Sequence, residues 1–395
     1  MTSKDKHIPQ GYKDSPLGII PKEWEVKRLG DLCHDIFSGR NKGRTESGKY
    51  PVYGSTGIIG MTNNYQYEGK KILVARVGAH AGLVSMACGK YDVSDNTIIV
   101  ENEERSSTYF IYQQLIAANL NKMIFGFGQP LITAGMLKRL QVVYPSIEEQ
   151  SQISHVLQLW DTAIEKQSKL IERLTLRKRA LMQQLLTGKK RLPGFTGEWD
   201  FHRIKDHFQL IHDKNDGKWH LPMTISAKKG LVSQKDKFDR VVAGNSLEKY
   251  TLLKKGDFAY NKGNSNLYEM GCIYRLTEES AVVPFVYICF RVVDSTCCEF
   301  YKHFFINHGL DPQLKRIITS GARGDGLLNV NPEDFISLKV PYPNIEEQNG
   351  IANILNDADK EIELAKEKLT SLQSQKRGLM QQLLIGKKRI QQIKQ

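Results

Sequence analysis

Residues 144–191 read YPSIEEQSQISHVLQLWDTAIEKQSKLIERLTLRKRALMQQLLTGKKR, and residues 342–389 read YPNIEEQNGIANILNDADKEIELAKEKLTSLQSQKRGLMQQLLIGKKR. The two stretches align without a gap at an offset of 198, and 24 of their 48 positions are identical. This duplication decides the fold, because an internal repeat at a long period means that one structural unit is used twice.

Each copy of the duplicated stretch is predicted to be one long helix. Ser146 and Asn344 each stand three positions before a Glu. This is the form of a capping box, in which the cap side chain and the Glu satisfy backbone N–H groups at the helix start. Gly188 and Gly386 close the two runs and are followed by Lys-Lys-Arg, as is typical of a helix C-terminus.

The apolar residues of both helices recur at alternating spacings of four and three, which is typical of a coiled coil. The predicted seam residues are Ile153, Leu157, Trp160, Ile164, Ile171, Leu174, Leu181 and Leu185 in the first copy and Ile351, Leu355, Ala358, Ile362, Ala365, Leu369, Leu372, Leu379 and Leu383 in the second. Lys178 and Lys376 also fall on the seam. They either fix the register as buried polar residues or extend their ammonium groups to solvent. The natural partner of each helix is the other copy, and the sequence alone allows parallel or antiparallel pairing.

The chain of 395 residues carries a formal net charge of +13 and has a pI near 9.2. This excess favours a polyanionic partner, most simply nucleic acid, although a merely basic protein is the plainer alternative. The six cysteines form no CxxC pair and are expected to be reduced thiols in the cytoplasm. No apolar run approaches the roughly 18 residues of a membrane span, so neither a signal peptide nor a membrane segment is expected.

A second repeat precedes each helix. The segment PKEWEVKRLGD at 21–31 is echoed by TGEWDFHRIKD at 196–206, which places Trp24 opposite Trp199. Both tryptophans are predicted to be core anchors rather than platforms for base stacking. The predicted organisation is therefore a first block at 1–145, a helix at 146–190, a second block at 191–343 and a helix at 344–395.

The interiors of the two blocks hardly match in sequence, and both alternate short apolar runs with polar, glycine-rich loops. The predicted strands lie at 50–54, 71–78, 96–101 and 140–145 in the first block and at 221–226, 258–263, 271–276, 282–293 and 336–343 in the second. Predicted helices cover 107–124 and 299–318. Each block is expected to be an α+β domain with polar loops at its rim.

Motifs for catalysis are weak in this sequence. The segment GRTESGKY at 43–50 approaches a P-loop, but Tyr50 replaces the Ser or Thr that would hold magnesium. Glu68-Gly-Lys70 has the E-x-K form of many nucleases without a preceding Pro-Asp, and no HExxH or metal-ligand cluster occurs. The chain is therefore expected to be a non-catalytic recognition protein. The alternatives are a coiled-coil scaffold or a nucleic-acid-binding protein with an unrecognised nuclease site.

Two Trp-led variable blocks alternate with two helices that open at P-x-I-E-E-Q and close at L-M-Q-Q-L-L-x-G-K-K-R. This order strongly resembles the specificity subunit of type I restriction–modification systems. The motifs are Ile-Pro-Lys-Glu-Trp at 20–24, Gly-Glu-Trp at 197–199 and Glu-Glu-Gln at 148–150 and 346–348. The resemblance covers nearly the whole chain, from about Ile19 onward.

The resemblance implies an α+β chain with an internal pseudo-twofold repeat. Its two α/β target-recognition domains would be separated by two long helices that form an antiparallel coiled coil. Each domain would read one half of a bipartite sequence in double-stranded DNA, and the coil would set the spacer and dock two methyltransferase subunits. No cofactor is expected on this chain. S-adenosylmethionine, ATP and magnesium are expected on partner subunits, which include restriction/translocase subunits.

The resemblance does not say which residues contact DNA. Arg, Lys, Asn, Gln and His have donors that match base edges and phosphates, so such residues in the glycine-rich loops are the predicted contacts, although any one of them could be an ordinary solvated loop residue. They are Arg40, Lys42, Arg44, Arg76, His80 and Gln129 in the first block and Lys214, Lys218, Lys262, Asn264, Asn266 and Arg323 in the second.

Overall fold

The computed structural model describes residues 8–103, 106–123, 130–226, 229–238, 244–263, 268–318 and 328–390. The chain divides into two compact units. Unit 1 comprises Met1–Ser168 with Glu367–Gln395, and unit 2 comprises Lys169–Lys366. Each unit therefore contains one sequence block together with a half of each long helix.

Unit 1 contains a mixed set of strands and helices that precede the first long helix. The strands are β1 (Tyr12–Ser15), β2 (Gly18–Pro21), β3 (Glu25–Arg28), β4 (Cys33–Ser38), β5 (Tyr50–Gly54), β6 (Gly57–Thr62), β7 (Tyr67–Glu68), β8 (Lys71–Ala75), β9 (Val84–Ala87), β10 (Lys90–Val93), β11 (Thr97–Asn102) and β12 (Gln141–Tyr144). The helices are α1 (Thr108–Ala118), α2 (Ala134–Arg139) and the long α3 (Ile147–Leu185).

Unit 2 has the following elements. The strands are β13 (Asp200–Arg203), β14 (Phe208–Leu210), β15 (Leu221–Ser226), β16 (Gly230–Ser233), β17 (Thr251–Lys254), β18 (Phe258–Asn261), β19 (Cys272–Arg275), β20 (Ser280–Val283), β21 (Ile288–Val292) and β22 (Lys339–Tyr342). The helices are α4 (Ile204–His207), α5 (Gln234–Phe238), α6 (Cys298–Ile306), α7 (Asp311–Ile317), α8 (Pro332–Ile336) and the long α9 (Ile345–Leu383).

The two blocks share one topology although their sequences hardly match. Unit 1 has sheets of order β4-β11-β8-β9 and β6-β5-β10-β7, and unit 2 has sheets of order β14-β21-β18-β19 and β16-β15-β20-β17. The one parallel pair in each second sheet is also equivalent, β5 with β10 and β15 with β20. A two-stranded sheet of β3 with β12, and of β13 with β22, leads into each long helix.

The long helices begin where the sequence predicts, but they end at Leu185 and Leu383, three residues before the glycines that close the two runs. Ser146 Oγ accepts from the N–H of Glu149 at 3.3 Å, and Asn344 Oδ1 accepts from the N–H of Glu346 at 2.8 Å. Gly188 and Gly386 both adopt a φ of +69°, the left-handed conformation that glycine adopts without strain at a helix end. Within the described part of the chain, no helix is both long and apolar enough to cross a lipid bilayer.

Within each unit, the halves of α3 and α9 run antiparallel. In unit 1 the Lys376 ammonium lies 2.6 Å from Asp161, and in unit 2 that of Lys178 lies 2.5 Å from Asp359. The two lysine side chains are only 13% and 16% exposed, so they are paired polar groups of the seam and do not extend to solvent. Every predicted seam residue of both helices is buried or half-buried.

Three predicted elements are interrupted. The run at 282–293 is two strands, because Pro284 starts a turn in which its carbonyl accepts from the N–H of Tyr287 at 3.0 Å. The helix predicted at 299–318 is broken after α6, where His308 takes a φ of +58°. The helix predicted at 107–124 ends at Ala118 and is followed by a 3-10 turn.

Candidate DNA-reading surface

The loop after β4 carries three of the predicted contacts, Arg40, Lys42 and Arg44, and all three side chains are exposed. The loop is fixed at its start, since Gly39 donates its N–H to the Thr97 carbonyl at 2.9 Å. A Cβ at position 39 would lie 2.4 Å from two backbone carbonyl oxygens, so glycine is required there.

Arg76 directly follows β8 and approaches the same edge of unit 1. Its Nη1 donates to the carbonyl oxygen of Asp95 at 3.3 Å, and its own carbonyl accepts from the N–H of Ile132 at 2.8 Å. His80 is exposed at the end of a short 3-10 helix in the following loop. Gln129 lies outside the described residues.

A cleft of about 440 Å³ lies between the loop after β4, which supplies Lys42 and Arg44, and the loop between β10 and β11, which supplies Asp95 and Asn96. The Arg76 side chain donates to the carbonyl of Asp95, which lines this cleft. Three predicted residues, Lys42, Arg44 and Arg76, therefore lie at or near the rim of the cleft. Such a rim offers guanidinium and ammonium donors to phosphates and to base acceptors.

Unit 2 places its predicted residues at equivalent positions. The loop between β14 and β15, which carries Lys214 and Lys218, corresponds in topology to the loop between β4 and β5, and both lysines are exposed. Lys262 directly follows β18, and its carbonyl accepts from the N–H of Leu328 at 2.8 Å, just as the Arg76 carbonyl does from Ile132. Asn264, Asn266 and Arg323 lie outside the described residues.

Sequence reasoning missed one surface residue of this region. Trp219 lies in the same loop as Lys214 and Lys218 and is 83% exposed. Its sequence neighbourhood, Lys-Trp-His after Asp-Gly, places an aromatic residue among cations in a turn. This composition is the sequence signal that could have identified Trp219 as a surface residue.

The Glu of each predicted capping box, Glu149 or Glu347, was expected to bind a backbone N–H at the helix start, but it binds side chains instead. Glu149 accepts from the Trp24 indole Nε1 at 2.9 Å and from the guanidinium of Arg389 at 2.5 Å. The capping box is therefore only half correct, because the carboxylate is engaged by a tryptophan and an arginine. We call this group the unit 1 clamp.

The unit 2 clamp has the same construction. Glu347 accepts from Trp199 Nε1 at 2.9 Å and from Arg191 at 2.7 and 2.8 Å. Its side chain is fully buried. Burial alone would raise the pKa of Glu347, but the hydrogen bonds from Arg191 and Trp199 outweigh it and hold the pKa below its usual range. Each clamp thus joins the start of one long helix, the end of the other and the Trp of a block. Trp24 is fully buried and Trp199 is partly buried, as predicted for core anchors.

The Gln of each Glu-Glu-Gln motif completes the junction. The Gln150 side chain accepts from the N–H of Ser107 at 3.0 Å, and that of Gln348 accepts from the N–H of Cys297 at 3.1 Å. These N–H groups belong to the residues that precede α1 and α6. The motif therefore orients a block helix against each long helix, and it is structural rather than catalytic. Among the described residues, no group of three His, Cys, Asp or Glu side chains is placed to hold a metal ion.

A family model described as the type I restriction modification DNA specificity domain matches residues 21–176 and 232–374, and the chain belongs to this family. Over 163 residues the chain is 29% identical to the type I restriction enzyme EcoprrI specificity subunit of Escherichia coli, which covers 38% of this chain and 40% of that subunit. It is 22% identical to the MjaVIII specificity subunit of Methanocaldococcus jannaschii, over 98% of this chain and 99% of that subunit.

A solved structure of the type I S subunit from M. genitalium has a similar fold, with a TM-score of 0.58 and 16% identity. The similarity covers 91% of this chain and 96% of that one. The shared fold agrees with the predicted class, two α/β domains with two long helices that pack together.

Proposed function

We propose that each unit of this specificity subunit reads one half of a bipartite DNA sequence through the loops that follow equivalent strands. The supporting observation is that one topology carries two different sets of polar residues at the same places. Unit 1 offers Arg40, Lys42, Arg44 and Arg76, and unit 2 offers Lys214, Lys218 and Lys262. A shared scaffold with divergent loops suits two readers with different targets.

The long helices are proposed to set the spacer between the half-sites and to dock two methyltransferase subunits. Support for docking comes from apolar side chains of the helices outside the seam. Leu159 in unit 1 is 58% exposed, and Leu170, Leu176 and Leu364 in unit 2 are 44%, 61% and 56% exposed. These exposed apolar side chains are available for burial against a protein partner.

The chemistry is assigned to partners in this proposal. The chain itself would be non-catalytic and act in the cytoplasm. S-adenosylmethionine would bind to the methyltransferase subunits, and ATP and magnesium would serve the restriction/translocase subunits. The purified chain with DNA, magnesium and ATP is then expected to leave DNA uncut and to hydrolyse no ATP.

Exchange of residues 196–343 for the corresponding block of a relative tests the reading function. The exchanged complex is expected to methylate a motif in which only one half has changed, because each half is read by one block. Methylation-sensitive long-read sequencing of DNA modified by the parent and exchanged complexes gives both motifs. A change in both halves would contradict independent reading.

A further inference from the structure

The loop between β14 and β15 exposes a tryptophan to solvent, although the large apolar indole ring is costly to leave in water. Trp219 is 83% exposed, whereas Trp24 is fully buried. An indole ring can bury about 150–250 Å² of surface, and an exposed one is a recurrent feature of binding surfaces.

The loop is held by hydrogen bonds within itself and by one to β20. Asp216 Oδ1 accepts from the N–H of Lys218 at 3.0 Å and lies 2.9 Å from His220 Nε2, while His220 Nδ1 lies 2.9 Å from Ser280 Oγ. Gly217 adopts a φ of +79°, which permits the tight turn. The backbone N–H of Lys218, and then His220, hold the pKa of Asp216 below its usual range. The backbone that carries Trp219 is thus held in a defined turn, which lowers the entropy cost of ordering this loop on binding.

The charges around Trp219 select the partner. The two acidic residues of the loop are already engaged, Asp216 by His220 and Asp213 by Arg291 at 3.7 Å. Among the described residues, no ion pair involves Lys214 or Lys218. An exposed aromatic ring that shares its loop with two exposed lysines outside ion pairs suits a polyanion with flat apolar faces, which is the chemistry of DNA.

From this arrangement we infer that Trp219 contacts DNA directly, with its indole ring stacked on a base of the half-site that unit 2 reads and the two lysines on neighbouring phosphates. Aromatic and apolar side chains can enter a base step and partly unstack it. This inference rests on the proposed function. It adds a contact by stacking to a loop for which only hydrogen-bonding and ionic contacts were predicted.

The test uses the complex with its methyltransferase subunits and a duplex that carries the motif found by methylation sequencing. Trp219→Ala is expected to weaken duplex binding by roughly 5- to 150-fold, the range expected for one lost base–aromatic stack. Trp219→Phe, which keeps an aromatic face, should recover most of the affinity. Phe285→Ala is the matched control, because Phe285 is also an aromatic residue of unit 2, 60% exposed, and follows β20 at the far end of the parallel β15–β20 pair.

A second readout locates the contact. The difference in fluorescence between the parent complex and its Trp219→Phe variant isolates the signal of Trp219, and saturating duplex should protect that signal from acrylamide quenching. Equal affinity of the parent and Trp219→Ala complexes would overturn the inference while leaving the proposed function intact. Loss of methyltransferase assembly with unchanged DNA affinity would overturn it in favour of a protein contact. A parent complex that binds no DNA would refute the proposed function as well.

Discussion

His303 should make unit 2 sensitive to acid. The residue lies on α6, is fully buried, and its Nε2 donates to Asn356 Oδ1 at 2.9 Å. Burial, and then repulsion by Lys302, lower the pKa of His303 to about 4, with a smaller contribution from Lys178. The hydrogen bond with Asn356 and the charge of Asp359 act in the opposite direction but do not prevail.

The size and sign of the effect follow from linkage. A histidine in the unfolded chain binds its proton near pH 6.5, whereas His303 in the folded chain binds it only near pH 4. At about 1.36 kcal/mol per pH unit, the gap corresponds to about 3 kcal/mol. Because the folded pKa is the lower one, no stability is lost above pH 6.5. The loss grows as the pH falls from about 6.5 to about 4.

The internal repeat supplies the replacement to test. Gln113 on α1 is equivalent to His303, since each lies six residues after the N–H that binds the motif glutamine. Both side chains are fully buried, and each has one acceptor, Gln113 Oε1 or His303 Nδ1, without a partner among the described residues. His303→Gln keeps a donor for Asn356 and removes the proton uptake.

Urea unfolding at several values between pH 7.5 and 4.5 measures the difference. The parent chain should lose about 2.5 kcal/mol more than the His303→Gln chain over this range, since the lowest pH is still above the folded pKa. His155→Gln, which replaces an exposed histidine of α3, should follow the parent. If the free energies of unfolding of the parent and His303→Gln chains changed with pH in the same way, His303 would not be buried as a neutral imidazole.

Two further outcomes are expected from the clamps and the coil. Glu347→Gln should destabilise the chain by about 1–3 kcal/mol, because it removes the buried carboxylate that accepts from the Arg191 guanidinium and the Trp199 indole. Glu149→Gln should cost less, since the Glu149 side chain is 14% exposed whereas Glu347 is fully buried. Equal unfolding midpoints for the two variants would contradict the role of burial. One heptad inserted after Ile164 and another after Ile362 should preserve the seam and lengthen the methylated motif by roughly two to four base pairs, since seven residues add about 10.5 Å of helix. Three added base pairs also rotate one half-site by about 100° relative to the other, so methylation should weaken as well. An active complex with an unchanged spacer in motif sequencing would show that the coil does not set the distance.

The sequence predicts best those elements whose pattern is local. The starts of the long helices follow from their cap residues, their ends lie three residues before the predicted glycines, and β5 and β15 occur as predicted at 50–54 and 221–226. The predicted DNA contacts Arg76 and Lys262 stand at equivalent positions in the two units. Their contact with DNA stays a prediction.

The elements that the sequence did not reveal depend on distant contacts. The common topology of the blocks was hidden because a buried strand position accepts many apolar residues. Glu149 and Glu347 fit a capping box by spacing, but Arg389 and Arg191, which engage them, are more than 150 residues away in the chain. The sequence does not show which loop residues approach the cleft, because that depends on how loops that are far apart in the chain meet.

The structure also explains why sequence identity between the two copies of the duplicated stretch is concentrated at their ends. Six of seven positions are identical at 144–150 and ten of eleven at 181–191, against eight of thirty at 151–180. The two ends form the clamps and enter the block cores, where Met182 and Leu186 are buried in unit 2 and Met380 and Leu384 in unit 1.

The middle forms only the coil, and its few identical positions include the aspartate and lysine of both seam ion pairs. Since the helices run antiparallel, the start of one copy meets the end of the other, so pairing alone gives no reason for the two ends to stay alike. Identity is therefore concentrated where a helix holds a block. A block with different loops can occupy the same junction, which is the requirement for changing one half of a DNA target without rebuilding the coil.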